Sequence, residues 1–295
     1  MSRAEQEDAE IEASRAPLLD HLTELRSRLV VCVAAFLVGF VFCFIFADQI
    51  YVFLLRPFAL AGQIAQAQAN GLRLGTFGLV EAILGLRALP PLDDEVTRLI
   101  FTAPLEFLFT KMKLAAFGAI VITFPVLAFQ LYRFVAPGLY RNERGAFLPF
   151  LVAAPVLFLV GAAMVYYLML PFVMWFSLSQ QISSEVVSVE LLPRVSDYLN
   201  LVTALLLAFG LCFQLPVVLT LLGMVGIVSS KALAGARRYA VVGVFVVAAI
   251  VTPPDPISQT LLALPILLLY EASIWCVRII EMRRRLEEQA LEEPA

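Results

Sequence analysis

Long, continuous runs of apolar residues constrain this chain more than any other feature. The first run, from Leu29 to Ala47, contains 19 residues and no charge, and a helix needs roughly 20 apolar residues to cross a bilayer core. Because the runs do not alternate between polar and apolar residues, they favour helices over the strands of a barrel. The whole chain is 61% hydrophobic and 15% charged, whereas soluble domains average about 45–50% and about 25%. We therefore predict an all-α, polytopic membrane protein.

We predict six membrane-spanning helices. They cover Leu29–Ala47, Leu114–Val135, Phe147–Leu170, Tyr198–Met224, Tyr239–Thr252 and Ile257–Val277. The fifth contains 14 residues and reaches only about 21 Å at 1.5 Å per residue. It returns through the sequence TPPDP, whose prolines end one helix and open the next. Either the bilayer thins around this pair of helices or polar groups lie at membrane depth, and we expect local thinning.

An even number of spans places both chain ends on the same side of the membrane. The terminal segments and the two predicted loops on that side carry 14 of the 21 Lys and Arg residues, so this side is predicted to be cytoplasmic. We expect residues 1–16 to be a disordered acidic N-terminus, 17–280 the six-helix membrane domain and 281–295 a charged cytoplasmic tail. The acidic start argues against a cleavable signal peptide. The outer loops 48–106 and 177–200 are expected to form caps with short interfacial helices.

A carboxylate lies at the threshold of the first span. In the sequence LLDHLTELRSRL, leucines form one helical stripe, and Glu24 lies beside them with His21 and Arg28. Glu24 either forms an i,i+4 pair with Arg28 or offers its carboxylate to a cationic ligand at the cytoplasmic rim. The sequence alone leaves both readings open.

A second carboxylate, Glu143, lies in the loop YRFVAPGLYRNER on the same predicted side. Its neighbours Phe134, Pro137, Leu139 and Tyr140 form a rigid and partly apolar frame. Two carboxylates at one interface could each take a guanidinium through charge-assisted hydrogen bonds. The alternative is a solvated acid that pairs with Arg141 or Arg144.

Two polar residues are predicted within the membrane. Gln214 lies near the middle of the fourth span, and Glu271 lies about two turns from the cytoplasmic end of the sixth, where it could reach the interface. No chain of acids crosses the core, which argues against a proton pump. His21 is the only histidine, and neither HExxH nor GxxxxGK[ST] is present, so we predict no enzyme activity, no metal site and no cofactor. A receptor, a structural scaffold and a small-solute transporter with its site around Gln214 remain as alternatives.

Five motifs in order resemble the TatC family, the multispanning subunit of the twin-arginine protein translocase. They are HLTELRSRL, TAPLEFLFTKMKLA, YRFVAPGLYRNER, DYLNLVTALLLAFGLCFQLPV and RRYAVVGVFVVAAIVTPPDPISQTLLALPILLLYE. The resemblance implies a concave, glove-shaped bundle of six helices with short fifth and sixth helices. It also implies a location in the bacterial inner membrane.

The resemblance further implies a receptor for folded precursor proteins whose signal peptides carry paired arginines. Glu24 and Glu143 match the signal-binding acids, and neighbouring family positions are matched by Arg26, Phe134, Pro137, Leu139 and Tyr140. Outer-face or span-end positions are matched by Pro57, Glu106, Lys113, Asp255 and Gln259.

Implied partners are TatA- and TatB-like single-span subunits and further copies of the chain, with export driven by the protonmotive force and no nucleic acid involved. Two departures stand out. Gln214 replaces a glutamate that is frequent in relatives, and the first outer loop is longer than expected.

Overall fold

The computed structural model describes residues 3–71, 76–87, 89, 99–135, 148–183, 188–189, 193–251 and 256–292. These residues form eleven α-helices and one pair of two-residue strands. The helices are α1 (Arg3–Ile45), α2 (Ala47–Ala69), α3 (Thr76–Ile83), α4 (Glu106–Val135), α5 (Leu148–Met164), α6 (Leu170–Leu178), α7 (Val195–Cys212), α8 (Leu215–Met224), α9 (Ser230–Gly235), α10 (Arg237–Val251) and α11 (Pro256–Glu292). Strand β1 (Ile182–Ser183) pairs antiparallel with β2 (Ser188–Val189). The all-α prediction is confirmed.

Six helical segments of the described residues are long and apolar enough to cross a membrane. They are Thr23–Ile45, Ala47–Ala69, Glu106–Phe134, Phe150–Leu178, Val195–Met224 and Gln259–Leu286. The number agrees with the prediction. These segments are selected by length and composition, and they include α2 but not α10, which has 15 residues. The predicted topology keeps α2 on the outer side and α10 as the fifth span, and this arrangement places the segments of Glu24 and Glu143 on the same side of the membrane. The sequence predicts no span at α2, because Asp48, Arg56 and several glutamines interrupt its apolar residues. Its mean hydropathy of 1.3 is the lowest of the six.

Helices α10 and α11 correspond to the fifth and sixth predicted spans, and only α10 is short. Helix α11 contains 37 residues, so the expectation of a short sixth helix is wrong. The charged segment 281–292 continues the helix because its Arg, Glu, Gln, Leu and Ala residues are strong helix formers. At the other end, α1 begins at Arg3, so residues 3–16 are helical where the sequence predicts disorder. The proposed division into three segments remains a prediction.

The chain forms two compact units. The first comprises Met1–Ile45 and Ala115–Pro155, and the second comprises Phe46–Leu114 and Val156–Ala295. Within the first unit α1 and α4 approach closely at Gly39, where an added Cβ would lie 2.9 Å from the side chain of Thr123. Small residues permit this close packing of membrane helices. The hydroxyl of the buried Thr123 is satisfied by the carbonyl of Ala119 at 2.7 Å.

In the second unit, tyrosine and tryptophan side chains hold α2 in place. Tyr166 donates to the carbonyl of Phe53 and Tyr198 to that of Leu54, each at 2.7 Å. Trp175 on α6 donates to the side chain of Gln68 at 2.8 Å. A π-helical turn (Val165–Met169) joins α5 to α6, just before Pro171, which has no N–H to donate.

Helices α5 and α7 pack through two reciprocal glycine–phenylalanine contacts. The ring of Phe158 covers Gly210, and the ring of Phe213 covers Gly161. Built Cβ atoms at the two glycines would lie 2.5 Å and 2.8 Å from these rings. The helices can therefore come this close only because both positions lack a side chain.

Helix α10 covers only the first part of α11. The two helices pack against each other, and Arg237, the first residue of α10, meets Glu271 on α11. Beyond that point α11 packs against α9. Tyr270 donates to the carbonyl of Leu233 at 2.8 Å, and Leu233 packs with Ile274 and Val277. Helix α10 is short because it begins level with Glu271, whereas α11 continues past that level.

Candidate functional site

Glu24 lies on α1, one turn before Arg28, and the two side chains form an ion pair. The Arg28 Nε donates to Glu24 Oε1 at 3.1 Å, and Nη2 contacts the same oxygen. The Glu24 side chain is 33% exposed and that of Arg28 is 15% exposed. Of the two interpretations of Glu24, the structure contains the i,i+4 ion pair. Because a third of the Glu24 side chain is exposed, the carboxylate is also accessible to a second cation.

The other predicted signal-binding residues are only partly within the described structure. Arg26 is exposed on α1, and Phe134 is half-buried in the last turn of α4. Glu24 and Phe134 belong to the same compact unit. Four predicted residues lie outside the described residues, namely Pro137, Leu139, Tyr140 and Glu143. The pairing of Glu24 with Glu143 in one site therefore stays a prediction.

Gln214 occupies the break between α7 and α8. The Gln214 N–H bonds to Leu211 O at 2.9 Å instead of to Gly210 O, the usual partner in an α-helix. Its side-chain Nε2 donates to Gly210 O at 3.4 Å and so replaces the missing backbone donor. Pro216 follows in the first turn of α8 and cannot extend the ladder backwards. An amide serves this role at any pH, whereas a carboxyl group would have to be protonated to donate.

Glu271 is held by Arg237. The Arg237 Nε and Nη2 donate to the two carboxylate oxygens at 2.6 Å and 2.9 Å. The guanidinium stays charged and so matches the carboxylate. In the structure Glu271 meets a cation from the neighbouring helix. That it reaches towards the interface stays a prediction.

Glu106 ties the chain before α4 to the start of α7. Its carboxylate accepts hydrogen bonds from Thr102 N at 2.8 Å, Ala103 N at 3.2 Å and Ser196 Oγ at 2.6 Å. A backbone bridge beside it joins Ile100 to Arg194. Glu106 therefore links these two segments and has a structural role. Its partner Ser196 lies 90 residues away and is not predictable from the sequence.

Glu106→Ala is expected to weaken the link between the segment before α4 and the start of α7. With the acceptor gone, the amides of Thr102 and Ala103 lose their partners, and we expect their hydrogen exchange in detergent micelles to accelerate at least about tenfold. Asp197→Ala is the matched control, because Asp197 is an exposed acid next to Ser196. Unchanged exchange in Glu106→Ala would mean that the backbone bridge alone holds the segment.

The remaining predicted positions have separate surroundings. Pro57 is buried within α2, and Gln259 is half-buried near the start of α11. Lys113 donates to the side chain of Asn200 at 3.3 Å. Asp255 lies outside the described residues. An ion pair between Lys111 and Asp48 at 2.5 Å joins α4 to α2 and was also missed.

Comparison with known proteins decides the family. The family model described as Sec-independent protein translocase protein (TatC) matches residues 20–265. The chain belongs to the TatC family. It is 42% identical to the TatC protein of Magnetococcus marinus over 95% of this chain and 90% of that protein. It is 39% identical to TatC of Rickettsia prowazekii over 90% and 94% of the two chains.

Solved TatC structures share the fold. A crystal structure titled as the twin-arginine translocase receptor TatC in DDM superposes with a TM-score of 0.67 and 32% identity. The match covers 86% of this chain and 98% of that one. The chain is thus a multi-pass membrane component of the Sec-independent (Tat) protein translocase, and the TatC family is not a family of catalytic enzymes.

Proposed function

We propose that this TatC-family chain is the receptor subunit that binds paired-arginine signal peptides of folded precursor proteins. Glu24 and Glu143 are the carboxylates that receive the two guanidinium groups, framed by Phe134, Pro137, Leu139 and Tyr140, with Arg26 beside them. The protein lies in the inner membrane of a bacterium. Both chain ends face the cytoplasm, an orientation that the distribution of Lys and Arg favours.

The contact between Glu24 and Arg28 is the observation that carries this proposal. A guanidinium from the chain itself already contacts the Glu24 carboxylate through Nε and Nη2. The position therefore suits a guanidinium sterically and electrostatically, close to the apolar part of α1. Arginine keeps its charge and presents a planar fork of donors, whereas lysine offers a more strongly hydrated point charge. A Lys-Lys signal should consequently be a poorer ligand.

The subunit works with other components of the translocase. We propose that these are TatA- and TatB-like single-span proteins and further copies of this chain, and that the protonmotive force drives export. This division of work agrees with the sequence, which lacks nucleotide-hydrolysis and metalloprotease motifs.

Photocross-linking in membranes tests the receptor function. A probe replaces Asn142, next to Glu143, and a radiolabelled precursor carries either the Arg-Arg or the Lys-Lys signal. We expect a strong adduct with Arg-Arg, and at least about a tenfold weaker one with Lys-Lys or in the Glu24→Gln variant, because each removes a charge-assisted bidentate contact. Glu81→Gln, an exposed acid on α3, is the matched control and should leave the adduct intact.

Equal labelling of the two precursors, or loss of the adduct in Glu81→Gln as well, would contradict the proposal. The first result would reduce Glu24 and Glu143 to ordinary boundary charges. The second would show a general effect of removing acids and not a specific site.

A further inference from the structure

Helix α11 exposes a continuous apolar stripe on the side turned away from its neighbours. We call this the α11 seam, and its members are Leu268, Ala272, Trp275, Ile279, Met282 and Leu286. Their spacing alternates between four and three residues, which is the repeat of a left-handed coiled coil. The large members are 45–63% exposed, with Trp275 at 60% and Leu286 at 59%. The opposite side of α11, including Ile266, Tyr270 and Val277, is buried within the second unit.

Lipid covers only the first part of the α11 seam. The apolar segment of α11 runs from Gln259 to Leu286 and contains 28 residues, which is about 42 Å of helix. Roughly 20 residues cross the hydrocarbon core, and counted from Gln259 they end near Arg278. Arginines mark the same boundary, since Arg278 lies over the ring of Trp275 and three more follow at 283–285. Ile279, Met282 and Leu286 therefore lie outside the hydrocarbon and still lack a cover in the described structure.

The flanks of this outer part of the seam are cationic. In a heptad with Ile279 and Leu286 at a and Trp275 and Met282 at d, the g positions are Arg278 and Arg285 and one e position is Arg283. Between Trp275 and Leu286 the sequence has one acid, Glu281. Glu281 does not flank the seam, because it accepts hydrogen bonds from the backbone N–H of Ser230 at 2.8 Å and from its hydroxyl.

This charge pattern disfavours a second copy of the chain as the cover. Two copies in one membrane have parallel α11 helices, and in a parallel pair each g position faces the e position five residues later on the other helix. Arg278 of one copy would then oppose Arg283 of the other, and like charges at this spacing repel. The flanks instead complement a helix that carries acids at its own e and g positions.

We propose that the α11 seam docks a parallel helix of another protein, with an apolar a/d stripe and acidic flanks, at the end of that protein's own membrane span. The proposal does not depend on signal-peptide recognition. The cover is a protein helix and not lipid, because headgroups of anionic lipids could neutralise the arginines but would leave Ile279, Met282 and Leu286 uncovered.

Binding of two designed peptides tests the seam. The full chain is placed in nanodiscs of neutral phosphatidylcholine, and the probes are three-heptad helical peptides with Ile and Leu at a and d. One peptide carries Glu at e and g and the other carries Lys. We expect the Glu peptide to bind at least about tenfold more tightly than the Lys peptide, and the Arg278→Glu/Arg283→Glu variant to reverse this preference.

A matched variant, Lys231→Glu/Arg284→Glu, changes the net charge equally but leaves the e and g positions intact, and it should keep the preference for the Glu peptide. A reversed preference cannot result from misfolding, because a misfolded chain would not gain affinity for the Lys peptide. Equal binding of both peptides, or of neither, would overturn the proposal.

Two further results would assign the seam to another occupant. Retention of phosphatidylglycerol by the wild type and not by Arg278→Glu/Arg283→Glu, together with exclusion of both peptides, would make it a lipid headgroup site. Disulfide formation between two copies of a Met282→Cys/Cys276→Ser chain in membranes would make it an interface between copies. Either result would refute docking of an acidic helix.

Discussion

Gly210→Ala is expected to destabilise the protein strongly although it adds only one methyl group. The new Cβ would lie 2.5 Å, 2.7 Å and 2.9 Å from three atoms of the Phe158 ring, and that ring is 1% exposed. In an unobstructed helix the same change stabilises by up to about 1 kcal/mol. Here α5 and α7 must separate or Phe158 must leave its rotamer, and such overpacking costs about 1–3 kcal/mol. Because the three contacts are this short, we expect the cost at the upper end of that range and a net loss of about 2 kcal/mol in the free energy of unfolding.

Thermal unfolding in detergent, followed by size-exclusion of the remaining monodisperse protein, measures this effect. Gly243→Ala is the matched control, because Gly243 lies on α10 with no atom within 4 Å of a built Cβ, so this variant should melt at or above the wild-type temperature. The double variant Gly210→Ala/Phe158→Val should lose less stability than the sum of the two single variants, because the valine makes room for the methyl group. A Gly210→Ala protein that melts with the wild type would contradict the close packing of α5 against α7.

The spanning helices were predictable where lipid alone determines the sequence. Helix α1 from Leu29 onward and the middle of α4 are apolar on every side, so length and continuity identify them without knowledge of their neighbours. Helix α2 lies within the predicted outer loop 48–106, and its length of 23 residues was not predictable because its polar residues break that continuity. Its position depends on hydrogen bonds from Tyr166, Tyr198 and Trp175, and contacts with distant segments leave no periodic pattern in the sequence.

The candidate site shows the same division. The pair of Glu24 and Arg28 was foreseeable as one of two readings, because residues four apart on a helix are always neighbours. The partners of Glu106 and Glu271 lie 90 and 34 residues away, and spacing cannot reveal them. The role of Gln214 also depends on the break at Phe213–Gln214, which becomes visible only when the backbone hydrogen bonds are traced. The exposed seam of α11 needed the structure as well, since the sequence does not show which of its two apolar faces is covered.

Arg237→Ala is expected to be more harmful than the loss of a surface ion pair. Glu271 lies seven residues, or about 10 Å of helix, before Arg278, and is therefore within the apolar segment Gln259–Leu286. Exposed pairs in water contribute at most about 1 kcal/mol, but a carboxylate left alone in this segment faces lipid, where a charge at the centre of a spanning helix costs about 2.5–3.5 kcal/mol on insertion scales. We expect Arg237→Ala to melt well below the wild type, and further below it than the loss of an ion pair in water would cause. Glu271→Gln should cost less, because Arg237 begins α10 and can turn its long side chain towards water.

The charge-swapped variant Arg237→Glu/Glu271→Arg separates the ion pair from other effects of either position. Each single reversal places two like charges together and should melt well below the wild type, whereas the swap should recover most of the loss, as a double-mutant cycle would record. Arg238→Ala is the control, since Arg238 lies over the ring of its neighbour Tyr239 and its removal leaves no acid unpaired. If the swap melted no higher than the single reversals, the stability of this region would come from the packing of Tyr270 against Leu233 and not from the ion pair. If it recovered, the start of α10 would be fixed by charge at the position of Glu271, which accounts for the length of only 15 residues of this helix.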